Sequence, residues 1–200
     1  EDHALFSGDA GTSITITKGD KLWHGASGSA DLATGRELQP GMQFRVGSNT
    51  KILVATLIMQ LVDEGKLSLD TKIGDIFSAY PHWRNITVRE LINMRAGIPD
   101  YLTSPLFLLK AATQPNHKFT PQELLRFVKN FTAFPQNSKC VYTNTNMIVL
   151  GLMIEKITGQ SLDAALRERI ILPLHMQRTF LDTTSMRLPN LVHGYFDSQW

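Results

Sequence analysis

The chain has 200 residues, of which 42% are hydrophobic and 19% are charged, and its formal net charge at pH 7 is +2. This composition excludes an intrinsically disordered protein, and the length suffices for one domain that buries its own hydrophobic core. The basic residues are scattered along the sequence rather than clustered. That distribution argues against a nucleic-acid-binding or membrane-surface protein.

Two further features bound the class of protein. Cys140 is the only cysteine, so no internal disulfide can form and folding does not depend on an oxidising compartment. The longest nearly apolar run, residues 52–62, is shorter than the roughly 20 residues that a membrane-spanning helix needs, and it predicts a buried helix. The sequence begins without a signal-peptide pattern, and we expect any such leader to have been removed already.

The first 40 residues predict β-strands. Hydrophobic and polar residues alternate over 13–17, Gly19-Asp20 supplies a turn, and residues 21–24 begin a returning strand. Because a two-stranded hairpin is only marginally stable in water, further strands should complete the sheet. No segment after residue 172 shows a strand pattern, which indicates that the chain is part of a larger fold.

After the strands, the pattern predicts helices. A helix over residues 49–64 ends at Gly65, which suits the left-handed position that follows a helix. The other predicted helices begin at capping boxes or end at breaker residues. They are a short helix opened by Thr87-Val88-Arg89-Glu90, a helix opened by Thr120-Pro121-Gln122-Glu123, a helix over 145–158 and a helix over 162–171. The stretch 98–119 contains three prolines and predicts a loop.

Ser48 and Lys51 form a Ser-x-x-Lys pattern at the start of the predicted helix over 49–64. Residues three apart share a helical face, so the hydroxyl and the amine can meet. The positive end of a helix and burial both favour a neutral amine, and a neutral amine beside a serine is a general base beside a nucleophile. The pattern is short enough to arise by chance, and Ser48 as a plain helix N-cap remains the alternative.

Tyr142-Thr143-Asn144 is the second candidate. A tyrosine can shuttle a proton between a nucleophile and a leaving group, and an asparagine amide can hold a substrate carbonyl. The alternative is a turn in which Asn144 caps the helix over 145–158. Other patterns give less support, because the six histidines lack metal-ligand spacing and no Gly-x-Ser-x-Gly elbow or glycine-rich phosphate loop occurs.

Four ordered blocks carry a resemblance to a known family. They are residues 44–51 (FRVGSNTK), residues 60–70 (QLVDEGKLSLD), residues 86–91 leading to 96–101, and residues 142–146 leading to Gly151, Glu155 and Thr158-Gly159. In this order they resemble the β-lactamase and penicillin-binding protein superfamily, in the branch of class C β-lactamases and soluble D-alanyl-D-alanine carboxypeptidases. The resemblance implies an α+β, β-lactamase/transpeptidase-like fold. It makes residues 1–200 a single incomplete domain, with N-terminal strands over 1–40 and a mainly helical part over 41–200.

The resemblance also implies a role for each candidate residue. Ser48 would be the acylated nucleophile and Lys51 its proton acceptor, while Tyr142 would pass the proton on and Asn144 would hold the amide carbonyl of the substrate. Hydrolysis would run through an acyl-enzyme ester without a metal or organic cofactor. A D-alanyl-D-alanine carboxypeptidase-type penicillin-binding protein is the leading function. A class C-type β-lactamase, a small-ester esterase and an inactive homologue that only binds remain alternatives.

One motif of that family does not occur in the chain. The Lys-Thr-Gly or His-Thr-Gly motif, which lies on a sheet strand in the family, is missing from the 200 residues. The resemblance therefore implies that a second chain or a C-terminal remainder supplies the missing strands, and it leaves open whether the 200 residues are active alone. It further implies a small-molecule or peptide substrate and a periplasmic or secreted location, since the family usually acts on cell-wall peptides.

Overall fold

A computed structural model describes residues 10–134, 139–181 and 190–195. The chain divides into two compact units, one formed by residues 1–47 and 185–200 and the other by residues 48–184. None of the helices in the described ranges is long and apolar enough to cross a bilayer.

The first unit contains an antiparallel sheet in the order β1-β2-β3, with β1 at Gly11–Lys18, β2 at Lys21–Asp31 and β3 at Arg36–Glu37. The predicted hairpin is confirmed: Lys18 pairs with Lys21 across the two-residue turn, and both strands extend beyond their predicted ends. Gly19 has a φ of +56°, a conformation that glycine adopts without steric cost.

No described segment after residue 172 forms a strand of this sheet, but residues 191 and 193 make isolated backbone contacts. Leu191 forms a parallel bridge with Gln43, and the His193 N–H donates to the Ala30 carbonyl of β2 at 3.0 Å. Within the described residues β1 still pairs only with β2. The cross-strand partners Ile16 and Trp23 are more than half exposed, so this part of the sheet has an uncovered apolar face.

The second unit is helical. Its helices are α1 (Thr50–Asp63), α2 (Ile73–Ile76), α3 (Val88–Ile92), α4 (Pro105–Thr113), α5 (Pro121–Arg126), α6 (Thr145–Thr158) and α7 (Leu162–Leu166), and a π-helical turn over Arg167–Ile171 continues α7. The core lies between α1 and α6 and the short elements around them. Its apolar residues recur every three or four positions on α1, at Val54, Leu57, Ile58 and Leu61.

The ends of the helices follow the predicted signals. After α1, Gly65 adopts a φ of +68°, its N–H donates to the Val62 carbonyl, and the Lys66 N–H donates to the Leu61 carbonyl, which is the Schellman arrangement. The capping boxes of α3 and α5 are both formed. The helix over 145–158 is confirmed as α6, which ends at Gly159 in the left-handed conformation.

The loop predicted over 98–119 is wrong in its centre, where α4 forms. Pro105 occupies the first turn of α4, where its missing N–H costs no hydrogen bond, so this proline begins the helix instead of preventing it. Phe107 holds α4 in place by edge-to-face contacts with Tyr101 and Phe127. The sequence predicts that the helix opened by Thr87 runs towards Arg95, whereas α3 ends at Ile92.

An ion pair ties the end of α1 to the π-helical turn. Arg169 contacts Glu64 at 2.6 Å and Lys66 contacts it at 2.7 Å, and these two partners, Arg169 foremost, lower the pKa of Glu64 to about 2. Because the pKa is lowered from its ordinary value of 4.5, the pair stabilises the folded state above about pH 4.5 and loses that contribution as the pH falls towards 2.

Replacing Glu64 with glutamine should therefore lower the urea midpoint at pH 7, and the difference from the unaltered protein should shrink between pH 4.5 and pH 2. Asp63→Asn is the matched control, since the Asp63 carboxylate makes no ion pair with another described residue. A difference for Glu64→Gln that is as large at pH 2.5 as at pH 7 would contradict this linkage.

Candidate active site

The site begins at the N-terminus of α1. A 3₁₀ turn over Gly47–Asn49 leads into the helix, and Lys51 lies in its first turn. The Lys51 Nζ donates to the Ser48 Oγ at 2.9 Å, so the three-residue spacing brings the two groups together as predicted. Ser48 is not the N-cap, because Asn49 occupies that position and makes no side-chain capping bond. The Ser48 side chain is exposed, whereas Lys51 is half-buried.

The segment before α6 brings the second motif to the same place. The Val141 N–H donates to the Met94 carbonyl at 2.8 Å, which anchors the segment to the end of α3. Thr143 is buried, and its hydroxyl accepts from the Thr145 N–H at 3.2 Å. Thr143 is thus held in the interior, while Tyr142 and Asn144 both contact Lys51.

Tyr142 contacts both residues of the first motif. Its hydroxyl lies 2.5 Å from the Ser48 Oγ, and the Lys51 Nζ lies 4.7 Å from the centre of its ring. Lys51, and after it the hydrogen bond with Ser48, lowers the pKa of the Tyr142 phenol, while the negative charge of Asp100 opposes that shift. The phenol therefore gives up its proton more readily than an ordinary tyrosine.

Asn144 completes the group. Its Oδ1 accepts from the Lys51 Nζ at 2.8 Å, and its side chain makes no capping bond to α6. Asn144 is the N-cap residue of α6, as the alternative interpretation predicts. The prediction that its side chain caps the helix is wrong. All four candidate residues lie in one hydrogen-bonded network centred on Lys51.

Asp100 belongs to the same network, although no sequence motif indicated a role for its side chain. Its Oδ2 accepts from the Asn144 Nδ2 at 2.8 Å and from the Asn144 backbone N–H at 3.1 Å. The turn that delivers it passes through Gly97, which has a φ of +71° and lies against the backbone of Phe134 too closely for a side chain. Asp100 stands in the block 96–101 that carries the family resemblance, and this was the one available signal.

The arrangement suits acyl transfer. A hydroxyl, an amine and a phenol lie within hydrogen-bonding distance, so the amine can accept a proton that leaves Ser48 and the phenol can pass one on. Ser48 directly precedes the N-terminal end of α1, whose partial positive charge favours a developing oxyanion.

Comparison with known proteins identifies the family. The sequence model described as Beta-lactamase matches residues 7–199 of the chain. This chain belongs to the β-lactamase family. Among its relatives, penicillin-binding protein 4* of Bacillus subtilis is 28% identical over 92% of this chain and 41% of its own length. Penicillin-binding protein 4 of Amycolatopsis lactamdurans is 30% identical over 90% of this chain and 45% of its own length.

Two solved structures superpose well on the chain. D-amino acid amidase from Ochrobactrum anthropi, complexed with D-phenylalanine, gives a TM-score of 0.85 at 28% identity, covering 99% of this chain and 55% of that one. A D-stereospecific amidohydrolase from Streptomyces gives 0.77 at 29% identity, covering 88% and 53%. The α+β, β-lactamase/transpeptidase-like fold is thereby confirmed. The chain spans about half the length of these family members.

Proposed function

We propose that this β-lactamase-family protein is a serine hydrolase that acts through an acyl-enzyme on Ser48. The observation that carries the proposal is the Lys51 Nζ, which contacts the Ser48 Oγ at 2.9 Å and the Asn144 Oδ1 at 2.8 Å beneath the Tyr142 ring. These contacts support the roles that the family resemblance implies for the four residues.

In the proposed reaction, the Ser48 Oγ attacks a substrate carbonyl carbon and its proton passes to the Lys51 amine. Tyr142 then delivers a proton to the leaving nitrogen as the C–N bond breaks, which a lowered phenol pKa and a direct contact with Ser48 both support. The Asn144 Nδ2 has one hydrogen on Asp100 and keeps the other for the substrate carbonyl. Water finally cleaves the Ser48 ester by the same proton path.

A D-alanyl-D-alanine carboxypeptidase-type penicillin-binding protein acting outside the cytoplasm is the substrate assignment that we favour, because two relatives are named penicillin-binding proteins. Hydrolysis of D-amino acid amides is the second candidate, favoured by the similarity to D-amino acid amidase and to a D-stereospecific amidohydrolase. Both candidates place a D-configured residue beside the scissile amide. Turnover of a D-alanyl-D-alanine peptide, a D-phenylalanine amide, a penicillin and a short ester, compared side by side, separates them from the β-lactamase and esterase alternatives.

Acylation tests the shared first step. We expect the protein encoded in full by its gene to gain the mass of one benzylpenicillin molecule, with the adduct located on Ser48 by peptide mapping. Ser48→Ala should remove the adduct completely, because no other nucleophile contacts Lys51 and Tyr142 together in the described network. Ser78→Ala, at an exposed serine outside the network, is the matched control and should be acylated normally. An adduct that persists in Ser48→Ala, or a folded protein that is never acylated, would contradict the proposal.

A further inference from the structure

The orientation of the Asn144 amide is set by two hydrogen bonds, one from a donor and one to an acceptor. Its Oδ1 faces the Lys51 Nζ at 2.8 Å and its Nδ2 faces the Asp100 Oδ2 at 2.8 Å. Rotating the amide by 180° would break the hydrogen bond that the Lys51 Nζ donates to Oδ1 and would put the amide oxygen against the Asp100 carboxylate. Lys51 disfavours that rotamer from one side and Asp100 disfavours it from the other.

Asp100 is itself held in place. The Leu102 N–H donates to its Oδ1 at 3.2 Å, so both carboxylate oxygens are engaged. On either side of Asp100 the backbone is tied to the fully buried Thr145, whose hydroxyl donates to the Pro99 carbonyl at 2.8 Å and accepts from the Tyr101 N–H at 3.0 Å. The carboxylate is therefore fixed relative to the first turn of α6 before any substrate arrives.

We propose that Asp100 is a positioning residue, which acts through Asn144 by holding its Oδ1 on Lys51 and aiming the remaining Nδ2 hydrogen at the carbonyl of the bound substrate. This inference rests on the proposed acyl-transfer function. Asp100 does not contact the nucleophile: its contacts run to Asn144 and to its own turn. Without it, the amide would sample both rotamers, and the donor for the substrate would be present only part of the time.

Asp100→Asn is the sharpest substitution. An asparagine at this position cannot accept from Leu102 and from Asn144 with both of its side-chain atoms, since one of them is an NH₂ donor. We expect acylation of Ser48 by benzylpenicillin to slow by about 10- to 100-fold, the size of effect that a misplaced catalytic group produces. Asp75→Asn, at a carboxylate that caps α2 away from this network, is the matched control and should acylate at the unaltered rate.

A double-mutant cycle separates positioning from a general structural effect. Asn144→Ala should slow acylation at least as much as Asp100→Asn, and adding Asp100→Asn to Asn144→Ala should change the rate by less than about threefold, because the group that Asp100 positions is already gone. Independent, multiplying effects of the two substitutions would overturn the proposal. All variants are compared only after circular dichroism shows unaltered helix content.

The position of the Asn144 amide can also be measured by NMR without acylating the protein. In labelled protein, the Asn144 side-chain NH₂ should give two distinct, slowly exchanging nitrogen-attached proton signals, and Asp100→Asn should merge or shift them and speed their exchange. If the unaltered protein is never acylated but these signals respond as expected, the proposed function fails while the positioning stands. Unchanged Asn144 amide signals in Asp100→Asn overturn the positioning whatever the acylation rates.

Discussion

Replacing Lys51 with alanine should slow the acylation of Ser48 by about 100- to 10,000-fold, the range in which general acid–base groups contribute. The expected loss is large because the Lys51 Nζ makes three contacts at once: it touches the Ser48 Oγ, the Asn144 Oδ1 and the face of Tyr142. Removing it takes away the group that accepts the proton of the nucleophile in the proposed reaction and one of the two groups that orient Asn144.

Lys66→Ala is the matched control for that substitution. Lys66 lies just beyond the opposite end of α1, where its only described ion pair is with Glu64. The same loss of a lysine charge there should leave the acylation rate within about twofold, since exposed ion pairs contribute little. Time courses of intact mass with benzylpenicillin measure both variants. A Lys51→Ala protein that acylates at the unaltered rate would remove Lys51 from the mechanism.

Lys51→Ala should also change the pKa of the Tyr142 phenol. Lys51 is the largest cause of the lowered pKa of the Tyr142 phenol, so its removal should raise that pKa back towards the ordinary value of 10. The pH at which Tyr142 ionises should then move upwards, and any residual acylation that uses the phenolate should require a higher pH. Carbon-13 spectra of labelled tyrosine, with Tyr142→Phe to assign the signal, measure the shift directly.

Local features of this chain follow from the sequence because they depend on neighbouring residues. Helix periodicity alone predicts that Ser48 and Lys51 meet, and the capping box that begins with Thr87 forms from four consecutive residues. The sequence did not predict α4, because a proline is accommodated in the first turn of a helix but breaks the interior of one. Without tertiary contacts such as those of Phe107, the sequence does not decide between the two.

Contacts between residues far apart in the sequence could not be predicted from local patterns. Ser48 and Tyr142 are separated by 94 positions, and nothing in their spacing predicts a contact between their hydroxyls. Only the resemblance to a family whose motifs act together linked them. Asp100 shows the limit of the family resemblance. The block 96–101 that contains it resembles the family, but the resemblance implies no role for its carboxylate. Its role emerges only from hydrogen bonds to Asn144 across 44 positions.

Trp83→Ala should destabilise the second unit by about 3–5 kcal/mol, the usual cost of truncating a large core aromatic. Trp83 is fully buried, stacks on Tyr80 with ring centres 5.5 Å apart, and donates its indole N–H to the Phe131 carbonyl at 3.0 Å. The substitution opens a cavity and leaves that carbonyl without its donor. Urea unfolding followed by helix circular dichroism should show a much lower midpoint with an unchanged slope.

Two further substitutions separate the contributions. Trp83→Phe keeps an aromatic ring in the core but loses the bond to Phe131, so its cost should be smaller, about 1–3 kcal/mol. Leu106→Ala, at an exposed leucine of α4, should stay within about 0.5 kcal/mol. Equal midpoints for Trp83→Ala and Leu106→Ala would contradict the assigned core.

Trp83→Ala should lower the stability of the fold without slowing acylation, and Lys51→Ala should slow acylation without unfolding the protein. Trp83 makes no contact with Ser48, Lys51 or Tyr142 among its described interactions. Its carbonyl partner Phe131 lies three positions before Phe134, whose N–H donates to the Gly97 carbonyl at 2.9 Å in the turn that leads to Asp100. Because Trp83 touches none of the reacting groups, Trp83→Ala should acylate within a few-fold of the unaltered rate well below its unfolding midpoint, whereas Lys51→Ala should remain folded and acylate about 100- to 10,000-fold more slowly. If both properties fell together in either variant, the separation of core from catalytic network in this unit would be wrong.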